Sequence, residues 1–217
     1  RCDRARDTHG KVLRPPPASS SVALMADPAP TTPVATPLHT AETYLGLVEA
    51  GVLTENDRAE LLEGVVVTMS PQNPSHAAGV SRVNDVLGRA VGDRAAIRVQ
   101  LSLVVGALSV PEPDVAVVPG RTADYERAHP TTALLVVEVA DSSLAQDRLT
   151  KSAIYAAAGI PEYWIVNLRD DRVEVMRAPD PAARAYASVR LVGRGERLEL
   201  VALPGVAVAA DDLLPQR

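Results

Sequence analysis

The run Leu134–Ala140, L-L-V-V-E-V-A, constrains the fold more than any other part of the chain. Its β-branched and leucine residues favour a strand, and its apolar residues occupy both alternating faces. Such a strand has to be covered on both sides, which places it in the middle of a sheet flanked by helices. The single exception is Glu138. A carboxylate in that position is costly to bury unless it is paired or binds a metal ion.

The surrounding segments alternate between helix and strand. Thr40 precedes an apolar-striped run that stops at Gly51, as expected of a capped helix. Thr54 starts a short second helix through Leu62, with Glu60 just ahead of the first strand, V-V-V-T-M, after Gly64. Ser75 is placed to cap a long helix to about Val91, with Val83, Val86 and Leu87 on one face. Strands are expected at Ile97–Val105, Val115–Val118, Leu134–Val139, Tyr163–Val166 and Val173–Met176, with a helix over Gln146–Ala158. Weaker strands follow near Ala187–Leu191 and Leu198–Leu200, then a Pro204-Gly205 turn. The Pro- and Ser-rich residues 1–37 show no period and are expected to form a disordered tail ahead of a single domain over 38–217. With 217 residues and 47% hydrophobic content, one core is sufficient.

Several classes are excluded. No apolar run approaches the ~20 residues of a membrane span, and residues 21–26 are too short and too weakly apolar for a secretory leader. The cytoplasm is the expected location, with no membrane partner. Cys2 is the only cysteine, so neither a disulfide framework nor a cysteine zinc site can form. Phosphate-binding glycine motifs are absent, and Gly79-Val80-Ser81-Arg82-Val83 lacks the last glycine of a nucleophile elbow. The net charge is −5, and −8 from Met25 onward, so the chain is not a generic basic nucleic-acid binder. Arginines do cluster, with Arg82, Arg89, Arg94 and Arg98 in one segment and Arg121 and Arg127 in another. Solvated faces are the plainer reading of both groups.

Three acids and one lysine carry the candidate chemistry. Asp114 follows Pro113 at the mouth of one strand, and Glu138 lies near the end of the next. If these strands are neighbours, both carboxylates converge on one oxygen-lined site of the kind hard divalent cations prefer. The alternative is that each caps a loop or pairs with an arginine. Asp147, Lys151 and Tyr155 follow at four-residue spacing, on one helix face. An ordinary surface ion pair between Asp147 and Lys151 accounts for that spacing equally well. Against it, Lys151 is one of only two lysines beside 20 arginines, and the other, Lys11, is in the tail. Glu60 is placed to supply a third carboxylate. His76, at the start of its helix, reads more simply as a cap or packing residue than as a ligand.

The strings E-L-L-E-G-V-V-V-T-M-S-P (60–71), P-E-P-D-V-A-V-V (111–118), the block 134–167 and the terminal L-P-G-V (203–206) together resemble the Uma-two family of endonucleases, in the PD-(D/E)xK superfamily. The resemblance runs from about Thr40 to Leu214. It implies an α/β, restriction-endonuclease-like fold: a mixed central sheet flanked by helices, with extra C-terminal β-strands. It implies Asp114 and Glu138 as ligands of Mg²⁺ or Mn²⁺, and Lys151 and Glu60 as further catalytic residues. The substrate implied is nucleic acid, with DNA expected, and the assembly a homodimer. Two departures stand out. Ala140 occupies the usual lysine position after Glu138, leaving Lys151 on the next helix to supply the cation. Val65 stands where many relatives carry a glutamate. A nuclease-fold binding or assembly module without catalysis is the alternative, and the acidic balance argues in its favour.

Overall fold

The computed structural model describes residues 38–69, 71–141 and 143–216. The expected tail over 1–37 lies outside the described residues. A six-stranded mixed sheet organises the rest, in the order β3-β4-β5-β6-β7-β8. Its strands are β3 (Ala96–Val99), β4 (Val115–Val118), β5 (Leu135–Ala140), β6 (Glu162–Asn167), β7 (Arg172–Asp180) and β8 (Ala185–Val192). Only β5 and β6 run parallel, joined by a helical crossover, and every other pairing is antiparallel. All six residues of β5 are buried, as its doubly apolar pattern requires.

Strand alternation sends β-sheet side chains into two separate cores. Val115, Val117, Val137, Val139 and Trp164 face α2 (Pro74–Val91), whose Val83 and Leu87 are fully buried. That same core takes in the C-terminal β9 (Arg197–Glu199), β10 (Ala207–Ala209) and α5 (Ala210–Leu213). Ala116, Val118, Val136 and Ile165 point the other way, onto α4 (Ser152–Ala157). A small hairpin, β1 (Ala59–Leu62) with β2 (Val65–Thr68), packs with α1 (Ala41–Glu49) in a third cluster.

Four local expectations need correction. The second helix is only a 3-10 turn over Glu55–Asp57, after which Arg58 at φ 42° turns the chain into β1. Glu60 therefore lies within a strand rather than before one. The cap of α2 is Asn73, whose side chain accepts from the His76 N–H, and Pro74 supplies the first helical residue, where no N–H is needed. The strand expected to reach Val105 ends at Val99, because Gln100 takes φ 51°. The helix expected over 146–158 comes in three pieces: α3 (Leu144–Gln146), a π-turn over Asp147–Lys151, and α4. No described helix is long and apolar enough to cross a membrane.

Candidate active site

Register brings the two strand acids together. Val115 pairs with Val137 and Ala116 with Val136, so continuing the ladder sets Asp114 opposite Glu138. Both have the parity of Ala116 and Val136, and so face α4. Each carboxylate is also fastened to the other's strand. The Asp114 N–H donates to Glu138 Oε2 at 3.3 Å, and the Val139 N–H donates to Asp114 Oδ2 at 2.8 Å.

The π-turn delivers the lysine. Lys151 Nζ lies 3.0 Å from Glu138 Oε1 and 3.4 Å from Glu60 Oε2, and Tyr155 Oη donates to the same Glu138 oxygen at 2.9 Å. Lys151 is only 6% exposed. The surface ion pair with Asp147 does not form: Asp147 is buried too, and its Oδ2 accepts from Ser143 Oγ at 2.7 Å. Glu60 arrives from β1, which bonds back to back with Val110 and so lies against the P-E-P-D segment. The Glu112 N–H donates to Glu60 Oε2 at 3.1 Å. Glu60, Asp114, Glu138 and Lys151, from four separate stretches of chain, thus line one cleft of about 840 Å³.

Three participants escape the sequence reading. His76 is neither the cap nor a packing residue: its Nε2 lies 3.1 Å from Asp114 Oδ2. Gln100, turned inward by its positive φ, donates to Asp114 Oδ1 at 3.1 Å. Glu112 lines the cleft and accepts from Ser102 Oγ at 3.2 Å. A histidine at the start of a helix carries no signal of a strand acid 38 residues away. The P-E-P-D string did contain Glu112, but the neighbouring Asp114 drew the chemical reading. Val65 is 53% exposed on the hairpin and outside the cleft.

Electrostatics separate the two strand acids. Burial alone would raise the Asp114 carboxyl, but the hydrogen bond and charge of His76, the Val139 N–H and the Gln100 amide together hold it below the ordinary aspartate value. Burial pushes Glu138 well above the ordinary glutamate value even though Lys151 opposes it. Burial also works against the charge of Lys151, yet Glu138, Glu60 and Asp147 raise its pKa and keep it an ammonium. Asp147 and Glu112 are both pushed up, chiefly by burial.

The donor set suits a hard cation. Mg²⁺ is commonly held by one or two carboxylates, with water and substrate phosphate completing its shell, and Asp114 and Glu138 offer two carboxylates on neighbouring strands. Among the described residues no group of three or more His, Cys, Asp or Glu side chains is arranged as a metal cage.

Comparison with known proteins places the fold. A crystal structure of "a putative nuclease belonging to DUF820 from Anabaena variabilis ATCC 29413" superposes with a TM-score of 0.61. The match covers 80% of this chain and 96% of that one, at 17% identity, a likeness of fold. The fold is restriction-endonuclease-like, as the mixed sheet and its flanking helices lead one to expect. No curated protein matches the sequence. The model of the Uma2 family, described as "Putative restriction endonuclease", matches residues 41–211. With its sheet, its paired strand acids and that match over most of its length, this chain belongs to the Uma2 family.

Proposed function

We propose that the chain is a metal-dependent endonuclease that hydrolyses phosphodiester bonds in nucleic acid, with DNA as substrate. The observation that carries this reading is the placement of Asp114 opposite Glu138, with Lys151 Nζ 3.0 Å from Glu138, on the wall of an open cleft. Asp114 and Glu138 would hold the ion. Mg²⁺ or Mn²⁺, when bound, polarises a phosphate and lowers the pKa of an attacking water.

The chain's own residues do the rest. His76, Gln100 and the Val139 N–H keep Asp114 ionised and aimed. Lys151 opposes the burial that favours the neutral form of Glu138. Its ammonium is also placed to orient the water or to stabilise charge growing on the phosphate. Glu60, 3.4 Å from the Lys151 ammonium, helps to position it and would reach the ion through water. An acid in a mostly acidic cleft repels phosphate until a cation is present, which makes the divalent ion a condition for substrate binding as well as for chemistry.

The test is plasmid nicking and single-strand cleavage with Mg²⁺ and Mn²⁺, alongside calorimetric titration of Mn²⁺. Asp114→Ala is expected to abolish both metal binding and cleavage. The absence of a three-residue cage among the described residues favours one other reading, a binding or assembly module. A wild-type protein that takes up no divalent ion would favour that reading and end the proposal of a metal-dependent endonuclease.

A further inference from the structure

Most arginines of the sheet region lie against carboxylates: Arg148 on Glu174, Arg172 on Asp170, Arg177 on Glu162, Arg194 on Asp171. Arg98 does not. It sits on β3 opposite Ala116, and so shares the sheet face of Asp114, one diagonal step along β4. Cross-strand diagonals of this kind separate Cβ atoms by about 7–8 Å. Its guanidinium carbon lies 5.6 Å from the centre of the Tyr125 ring, and its Nε–H is buried without an acceptor. One terminal nitrogen, Nη2, lies 3.5 Å from His129 Nδ1.

At 3.5 Å that last contact suits one tautomer of the ring. Arginine has donors only, so with Nδ1 as the acceptor the ring proton resides on Nε2. Burial and the charge of Arg98 both favour this neutral ring. His129 lines the same cleft as Asp114 and Glu138. A cation without a carboxylate and an imidazole N–H therefore stand together beside the acidic cluster. The protein is otherwise acidic, so an unneutralised guanidinium braced by an aromatic ring has no internal charge to serve. Guanidinium is weakly hydrated and its fork of donors matches phosphate oxygens.

We propose that Arg98 and His129 form a second phosphate site at the edge of the cleft, which grips a phosphodiester of the substrate strand other than the one cleaved. The inference rests on the endonuclease reading and names the group that sets the strand's position on it. Arg98 supplies charge and terminal N–H donors, His129 supplies one neutral N–H, and Tyr125 holds the guanidinium in place. The pair also offsets locally the repulsion that the acidic chain exerts on a polyanion.

The experiment is fluorescence anisotropy of the full chain with a short labelled DNA duplex and the matching single strand. Ca²⁺ replaces Mg²⁺, and salt is varied. Arg98→Gln is expected to reduce the slope of log K against log salt by about one phosphate contact. Arg98→Lys keeps that slope while losing affinity, because the charge remains and the fork does not. His129→Ala, at an exposed position, should weaken binding about 2–10-fold, the scale of one neutral hydrogen bond, with the slope unchanged. It carries the test should Arg98→Gln fail to show a cooperative melt. An unchanged slope in folded Arg98→Gln, or unchanged affinity in His129→Ala, overturns the proposal and leaves the endonuclease reading standing. A wild-type chain that binds neither DNA overturns both.

Discussion

Lys151 shows how much depends on where a side chain ends. At the surface, its loss would cost under ~1 kcal/mol. Enclosed between Glu138 and Glu60, its removal leaves two buried carboxylates without their cation, and breaking such pairs costs about 3–5 kcal/mol. Urea unfolding of Lys151→Ala is expected to show a loss on that scale, and a loss below 1 kcal/mol would mean the cluster is open to water. Lys151→Arg keeps the charge but adds bulk to a filled site, at a cost of about 1–3 kcal/mol. Its planar fork does not reproduce a compact ammonium. Cleavage by the folded fraction of Lys151→Arg is expected to fall about 10²-fold or more, the scale of losing one preorganised donor. Cleavage at the wild-type rate would remove Lys151 from the reaction. The rarity of lysine marked this residue in the sequence. Its true partners were hidden, because Glu60 and Glu138 are 91 and 13 residues away and the nearer Asp147 offered an obvious false one.

At the scale of elements, α2 and the π-turn press on the site from opposite faces of the sheet. Gly79 lets α2 close on β5: a Cβ added there would meet Val139 Cγ1 at 2.7 Å, next to Glu138. Gly79→Ala gains helix propensity but forces the helix off the strand, and a net loss of about 1–3 kcal/mol is expected in thermal unfolding. A gain in stability would show that Val139 gives way freely. The π-turn is held by Arg148, whose Nε and Nη2 donate to Glu174 at 2.8 and 2.5 Å, while Asn167 Nδ2 donates to the same carboxylate at 3.0 Å. Burial would raise Glu174, but these donors and the charges of Arg148 and Arg172 lower it below its ordinary 4.5. A carboxylate lowered on folding contributes stability that is present above pH 4.5 and is lost as pH falls through the lower folded value. Urea midpoints between pH 7 and about pH 3 should therefore drop more steeply in wild type than in Glu174→Gln. Parallel curves would show that the clamp adds nothing. Helix periodicity made α2 and the crossover helix legible. It could not show the π-turn, since a wider turn over Asp147–Lys151 depends on what Arg148 and Lys151 find across the chain.

For the whole molecule, assembly is the open quantity. Cutting both strands of a duplex calls for two sites, and closed twofold dimers are the commonest homo-oligomers. A homodimer is expected, with a light-scattering mass twice the 22.9 kDa of the chain. A monomer mass at working concentration would mean that any double-strand cut is made in two separate encounters. The net charge of −8 from Met25 onward acts at this scale too. It weakens long-range capture of nucleic acid, so local groups such as Arg98 have to supply the attraction.

The amino-acid order alone was enough for the sheet's centre, because a run apolar on both faces has one stable environment, and β5 occupies it. The strings around 60–71, 111–118 and 134–167 carried the family, and acids and a rare lysine against an apolar, arginine-rich background singled out Glu60, Asp114, Glu138 and Lys151 among the residues that line the cleft. Tertiary structure decided what those residues touch. Register sets Asp114 opposite Glu138, a left-handed Gln100 turns an amide onto Asp114, and α2 brings His76 to the same carboxylate. These contacts join segments tens of residues apart, and side-chain spacing along a chain reports only neighbours within an element. Burial, which raises Glu138 and makes Lys151 its necessary counter-charge, likewise belongs to the packed molecule, because solvent is excluded only once both cores have closed on the sheet.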